Sequence, residues 1–138
     1  MVKKVWDREM ECINPKKMSG LQEKRFLLVF RWAYEKTPFY RKKYDQTGLK
    51  PSDIRSLEDI TRLPFISKDD LRASQEISPP YGEHCASPDS IYRTYWSTGT
   101  TGRPTFMGVS YKEALYWDNV YARNLFASGL RKGDLFHH

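Results

Sequence analysis

The first half of the chain has apolar residues at helical spacing, interrupted by prolines and glycines. Over residues 21–35 the apolar side chains recur every three or four positions, which predicts an amphipathic helix. Gly20 precedes this stretch and Pro38 ends it, because proline does not continue a helix. A shorter helix is predicted over residues 40–47, followed by Gly48 in the position that often terminates helices.

Two serines, each with an acidic residue three positions later, predict the starts of two further short helices. Ser56 is followed by Asp59, and Ser67 by Asp70. In such a pair the hydroxyl accepts from a backbone N–H of the first turn, and the acid favours the positive end of the helix. Pro64 ends the first of these helices. Residues 78–90 are rich in proline, serine and glycine and are predicted to form a loop.

The hydrophobic pattern changes at Ile91. Residues 91–96 are β-branched and aromatic, and residues 105–109 resemble them, so both predict β-strands. Ser110 with Glu113 predicts the capped start of a helix that runs to Gly129. The chain is therefore predicted to have a mixed α/β (α+β) fold, with a mainly helical region at residues 1–78 and a strand–loop–strand hairpin and helix at residues 79–138.

The segment between the two predicted strands combines hydroxyl side chains, glycines and one cation. Glycine lets the backbone approach a ligand closely, while hydroxyls and successive N–H groups supply the donors that a phosphate requires. We therefore predict a phosphate-binding loop, in which Pro104 begins the second strand. Its candidate ligand-binding residues are Ser97, Thr98, Gly99, Thr100, Thr101, Gly102, Arg103 and Thr105.

This loop does not have the Walker A pattern. That motif needs Gly, four residues, then Gly-Lys-Ser/Thr leading into a helix. Counting from Gly99, the position of the second glycine holds Pro104, and the loop leads into a strand. The alternative is an ordinary polar turn of a hairpin, since serine, threonine and glycine are common in turns.

Composition narrows the remaining classes of function. The chain of 138 residues has a formal net charge of +6, but its basic residues form short clusters separated by acidic ones, which does not favour nucleic acid binding. No apolar run is long enough for a membrane span, and a cytoplasmic location is expected. Cys12 and Cys85 match no zinc or redox motif, the three histidines form no ligand set, and no metal site is predicted.

The loop and the preceding half of the chain resemble one protein family. Residues 97–105 (STGTTGRPT) resemble the phosphate-binding motif of adenylate-forming, AMP-binding enzymes, with the threonine at Thr105 typical of the phenylacetate–coenzyme A ligase branch. Residues 37–44 (TPFYRKKY), 56–60 (SLEDI), 63–65 (LPF) and 67–71 (SKDDL) resemble segments of that branch in order and spacing. Thr98 and Arg103 depart from the usual Ser and Lys but keep a hydroxyl and a charge.

The resemblance implies an ATP-dependent acid–coenzyme A ligase that activates an aryl or other carboxylic acid as acyl-AMP and transfers it to coenzyme A, with Mg²⁺ accompanying ATP. Residues 98–102 would hold the β- and γ-phosphates. The catalytic residues, the metal-binding acid and the carboxy-terminal lysine domain of such enzymes would lie beyond residue 138, so this chain alone is expected to be an inactive amino-terminal fragment. Its exposed apolar helix faces could support a homodimer.

A second hypothesis is a small basic module that binds phosphate-rich ligands or RNA. Aromatic side chains would then stack on bases, and the loop would hold an anion. Tyr95 and Trp96, directly before the loop, leave a further alternative open: they either narrow a substrate space or pack against a neighbouring helix.

Overall fold

A computed structural model describes residues 4–97 and 104–137. The predicted mixed helical and antiparallel fold class is confirmed, as part of a larger domain type. In chain order the elements are α1 (Arg8–Glu11), α2 (Pro15–Lys36), α3 (Pro38–Gln46), 3₁₀ helices at Pro51–Asp53 and Leu57–Arg62, α4 (Lys68–Ile77), a 3₁₀ turn at Pro88–Ser90, β1 (Ile91–Trp96), β2 (Phe106–Ser110) and α5 (Tyr111–Ala127).

Helix α2 begins well before the predicted residue 21. The side chain of Asn14 accepts a hydrogen bond of 2.9 Å from the backbone N–H of Lys16, and Pro15 occupies the first helical position. Proline is suited to that position because its fixed φ is already helical and its missing N–H would have no partner there. Gly20, predicted to lie outside the helix, is therefore within it. The short helix α1 was not predicted.

Thr37 joins α2 to α3. Its side chain is fully buried: the hydroxyl donates to the carbonyl of Ala33 at 2.7 Å and accepts from the N–H of Tyr40 at 3.4 Å. Pro38 therefore ends one helix and occupies the first turn of the next. This arrangement explains why α3 starts two positions earlier than predicted.

The predicted serine–acid pairs are confirmed as caps. The carboxylate of Asp70 accepts from the N–H of Ser67 at 2.8 Å, and the N–H of Asp70 donates back to the Ser67 hydroxyl at 3.1 Å. Asp59 likewise accepts from the N–H of Ser56 at 3.1 Å, although the helix that follows is 3₁₀ rather than α. The 3₁₀ form is common in helical segments of only a few residues, where few α-type hydrogen bonds can form.

The main apolar core lies between α2, α3 and the first 3₁₀ segment. Its buried members are Phe30, Tyr44, Leu49 and Ile54. The rings of Phe30 and Tyr44 lie 4.9 Å apart between centroids, in a tilted arrangement favourable for aromatic pairs. Helix packing in the first half of the chain therefore depends on a small aromatic and aliphatic cluster.

Polar contacts connect β1 and α5 with earlier parts of the chain. The Tyr81 hydroxyl and the Thr94 Oγ1 atom lie 2.7 Å apart, and Arg123 of α5 donates to Asp7 near the amino terminus at 2.8 Å. A methyl group at Gly108 would lie 2.5 Å from the side-chain Cδ1 atom of Ile91 and 3.2 Å from that of Tyr81, so a larger residue there would require these side chains to move. These contacts set the position of the hairpin. Among the described residues, no helix has the length and apolarity needed to cross a membrane.

Candidate phosphate-binding loop

The two strands that flank the candidate loop pair in antiparallel register. Trp96 is opposite Phe106, and the pairing continues to Ile91 opposite Ser110, with an irregularity between Ile91 and Arg93. The predicted first strand is confirmed at residues 91–96, and the second begins one residue later than predicted. The loop is therefore the connection at the open end of a two-stranded hairpin.

Ser97 and Thr105 close the base of the loop. The N–H of Ser97 donates to the carbonyl of Thr105 at 3.1 Å, and the N–H of Thr105 donates to the Ser97 hydroxyl at 3.2 Å. The second bond uses a side chain, which only a hydroxyl or similar acceptor at position 97 can provide. Both ends of the connection are thus fixed relative to each other by two hydrogen bonds.

The remaining candidate residues, Thr98 to Arg103, lie outside the described part of the chain. Thr105, at the base, has a buried hydroxyl oxygen that makes no hydrogen bond within the structure. A buried hydroxyl without a partner costs about 1–3 kcal/mol. The phosphate-binding role of the eight residues stays a prediction.

Gln75 of α4 supports the base of the loop from the side opposite β1. Its side-chain Nε2 donates to the carbonyl of Phe106 at 2.6 Å, and its Oε1 accepts from the Phe106 N–H at 3.3 Å. Gln75 is 9% exposed. The sequence did not reveal this contact, since the two residues are 31 positions apart and a glutamine on a polar helix carries no distinguishing pattern.

A concave region of about 790 Å³ lies beside this base, lined by Arg72, Gln75, Glu76, Pro79, Pro80, Pro104 and Phe106. Arg72 pairs with Asp69 at 3.3 Å, while its Nε atom is buried and makes no hydrogen bond in the structure. The region thus places one arginine and one glutamate, Glu76, next to the base of the loop.

Arg93, the arginine of β1, already binds a carboxylate. Arg93 of β1 contacts Asp118 of α5 at 3.0 Å, and the hydrogen bond to that carboxylate raises the pKa of Arg93. An arginine held by a carboxylate in this way orients α5 against β1 and is less available to a phosphate. Arg93 is accordingly a structural residue of the hairpin rather than part of the candidate site.

The two aromatic residues before the loop differ in their surroundings. The Tyr95 ring lies 5.1 Å from the Trp117 ring of α5, so Tyr95 packs against a neighbouring helix, as one of the two alternatives predicted. Trp96 is 64% exposed. Its side chain is available to a substrate or to another part of a larger protein.

A second concave region, of about 590 Å³, lies near the opposite end of the hairpin from the loop. It is lined mainly by aromatic and aliphatic side chains, with His84 and Cys85 on one wall. Burial lowers the pKa of His84, which contacts the Phe39 ring at 5.7 Å between centroids. Across the described residues no group of three or more His, Cys, Asp or Glu side chains could hold a metal ion, and Cys12 and Cys85 form no disulfide.

Comparison with known proteins finds relatives that match this chain over part of their own length. No protein-family model matches the sequence. The phenylacetate–coenzyme A ligase of Thermus thermophilus is 35% identical over 133 residues, covering 96% of this chain and 29% of that protein. That of Aromatoleum evansii is 38% identical over 128 residues, 93% of this chain and 28% of that protein. This chain is homologous to part of the phenylacetate–coenzyme A ligases. The resemblance expected from the motifs is thereby confirmed.

Solved structures agree with this relationship. A 2-hydroxyisobutyryl-CoA ligase, in complex with 2-HIB-AMP and CoA in the thioesterification state, superimposes with a TM-score of 0.86 and 34% identity. It covers 96% of this chain, which in turn covers 28% of that structure. This chain thus spans less than a third of the length of the relatives it matches. Its fold, as well as its sequence, is similar to part of these ligases.

Proposed function

We propose that this chain supplies the ATP phosphate-binding hairpin of an acid–coenzyme A ligase, and that it is inactive without the rest of such an enzyme. The observation that carries the proposal is the hydroxyl-rich connection of residues 97–105, closed at its base by the Ser97–Thr105 hydrogen bonds. It lies in a segment homologous to phenylacetate–coenzyme A ligases. Residues 98–102 would bind the β- and γ-phosphates of ATP.

The reaction that follows from this role begins when a substrate carboxylate attacks the α-phosphorus of ATP. The new bond forms an acyl-adenylate, and pyrophosphate leaves. The thiol of coenzyme A then displaces AMP to form the thioester. Positioning and charge stabilisation make the main contribution in the first step, which suits a loop of N–H and hydroxyl donors. Mg²⁺ would enter with the nucleotide.

For the acid we propose an aryl carboxylic acid such as phenylacetate. The curated relatives at 33–38% identity are named for that substrate. The structural neighbours are named for 2-hydroxyisobutyrate. A short aliphatic acid is therefore the competing choice, and a direct comparison of the two acids decides between them.

Exposed apolar side chains support the proposal that the chain acts as part of a larger domain. On α5, Val120 is 62% exposed and Tyr116 60% exposed, and Tyr121 and Leu115 are about half exposed. Soluble proteins rarely leave contiguous apolar surface of this kind uncovered. The remaining segments of the ligase fold, which account for more than two thirds of each relative, would cover it.

The alternative role as an RNA-binding module is less well supported. Its basic residues would have to be available to nucleic acid phosphates, but Lys43, Arg93 and Arg123 each bind a carboxylate, with N–O distances of 2.6, 3.0 and 2.8 Å. These ion pairs connect elements of the fold. The positive charge of the chain is therefore partly used in its own packing.

A chimera tests the proposal. In it, this chain replaces the homologous segment of the phenylacetate–coenzyme A ligase of Thermus thermophilus, and ATP–pyrophosphate exchange is measured with phenylacetate and with 2-hydroxyisobutyrate. We expect exchange with the chimera and none with the isolated chain. Replacing Thr100 and Thr101 by valine should reduce the exchange rate by roughly 10²-fold or more, because each valine removes a donor hydroxyl with little change of volume.

The matched control is Thr61→Val, which makes the same change on an exposed 3₁₀ helix outside the loop. Thermal melts followed by circular dichroism establish that each chimera is folded. A folded chimera without exchange, or loop variants as active as the Thr61 control, would contradict the phosphate-binding role. Turnover by the isolated chain would contradict its dependence on the remaining segments.

A further inference from the structure

Phe106, the first residue of β2, directs its backbone polar groups away from β1. Trp96 is opposite Phe106 in the hairpin, yet the N–H and C=O of Phe106 both bond to the Gln75 side chain. In antiparallel pairs every second residue has its polar groups on the outer edge, where another strand would normally bind. The carboxamide of Gln75 occupies this edge as a third strand would, with one donor and one acceptor.

The contact lies immediately next to the loop. Thr105, which closes the loop with Ser97, precedes Phe106 directly. The base of the loop is therefore held on both sides, by β1 on one edge and by α4 on the other. Because Gln75 is buried and its two bonds are made to backbone, losing either one would leave a buried polar group without its partner.

We propose that Gln75 is a positioning residue for phosphate binding: its carboxamide fixes the exit of the loop, and the affinity of the loop for the ATP phosphates depends on that constraint. This inference rests on the proposed function. A two-stranded hairpin is only marginally stable by itself. Helix α5 supports β1 through Tyr95 and Arg93, but the outer edge of β2 at the exit of the loop needs a different contact. Gln75 provides that contact from a separate element, α4.

Gln75→Glu is the informative variant, because it keeps the shape and removes one donor. The ionised carboxylate can still accept from the Phe106 N–H, but it places a negative oxygen next to the Phe106 carbonyl. A protonated carboxyl group restores the donor and so reproduces the carboxamide. Burial next to a carbonyl raises the pKa of such a glutamate, so protonation occurs in an accessible pH range.

Two measurements follow from this. In the ligase chimera, the KM for ATP of Gln75→Glu should rise roughly tenfold at about pH 8, which corresponds to one lost buried bond of about 1.4 kcal/mol. Relative to the unsubstituted chimera at the same pH, it should recover at about pH 6, while kcat changes less. In the isolated chain, the repulsion at the Phe106 carbonyl should open the base of the loop more often, so the Phe106 amide should exchange faster than in the unsubstituted chain at the same pH. This difference should disappear at about pH 6.

Gln22→Glu is the matched control, since it makes the same substitution at an exposed position of α2. It should change neither the KM nor the exchange rate of Phe106. The proposal is overturned if Gln75→Glu leaves the KM unchanged at the higher pH, or raises it without recovery at the lower pH. A third outcome separates the contact from the proposed function. If hydrogen exchange at Phe106 responds but the Thr100 and Thr101 substitutions leave ATP–pyrophosphate exchange intact, the Gln75–Phe106 contact is confirmed. The phosphate-binding role, and with it the positioning role, then fails.

Discussion

Removing the ring of Phe30 is the most direct test of the core described above. Phe30, on α2, is 3% exposed, and its ring packs against that of Tyr44 on α3 at 4.9 Å between centroids. A buried phenylalanine removes about 150–250 Å² from water. At about 25 cal/mol per Å² this corresponds to roughly 4–6 kcal/mol for the entire side chain. Alanine retains a small part of that area, so Phe30→Ala should cost about 3–5 kcal/mol.

That loss is large compared with the free energy of unfolding of a typical domain, which is about 5–15 kcal/mol. Phe30→Leu, which retains much of the apolar volume, should cost clearly less. Equilibrium unfolding in urea, followed by the fluorescence of the four tryptophans, measures both losses. The tryptophan signal is informative because Trp32 lies on the same helix as Phe30.

Phe65 provides the matched control, because its side chain is completely exposed. Phe65→Ala should change the free energy of unfolding by no more than about 0.5 kcal/mol. The reasoning is refuted if Phe30→Ala costs less than about 1 kcal/mol, well below the usual cavity penalty. It is equally refuted if the two alanine variants are destabilised to the same extent, since burial would then not determine the difference.

Two titratable groups predict how stability depends on pH. The hydrogen bond from Lys43, together with the N–H of Ser67, lowers the pKa of Asp70 to about 2. The ionised Asp70 carboxylate therefore stabilises the folded chain fully at pH values above the ordinary pKa of 3.8, and this contribution is lost as the pH falls towards 2. Lys43→Met should flatten the loss of stability between those pH values in urea titrations, and an unchanged profile would contradict the assignment. Burial lowers the pKa of His84 below 6.5, so the unfolded chain binds the proton more readily and stability should decline as the pH falls below that value. An NMR titration of the His84 ring with a midpoint at or above 6.5 would show that the ring is not buried as described.

Elements whose signals are local could be predicted from the sequence. The strand predicted at residues 91–96 has the observed bounds. Its β-branched and aromatic residues are flanked on both sides by segments rich in turn-forming residues. The cap at Ser110 with Glu113 was also confirmed, with the N–H of Ser110 donating to the glutamate at 2.8 Å. In both cases the residues that determine the element are within a few positions of one another.

Contacts between distant residues could not be predicted. The start of α2 was placed too late because Gly20 was interpreted as a boundary, whereas Asn14 and Pro15 determine the start and packing of the later residues outweighs the low helix propensity of one glycine. Gln75 shows the same limit for the candidate site, since the partner of its carboxamide is a backbone group 31 positions away. Backbone groups carry no sequence signal, so only the fold identifies them.

The division of the site between local and distant contacts has a consequence for how the hairpin works. Ser97 and Thr105 close the loop by bonds that depend on the loop sequence itself, whereas Gln75 holds it through a helix of the first half of the chain. The proposed phosphate role requires pyrophosphate to leave after the reaction, so the contacts at the base of the loop would have to persist while the phosphates dissociate. If Gln75 positions the loop as proposed, the helical region acts on the site through α4, and substitutions far from the loop in sequence should alter nucleotide affinity when they displace that helix.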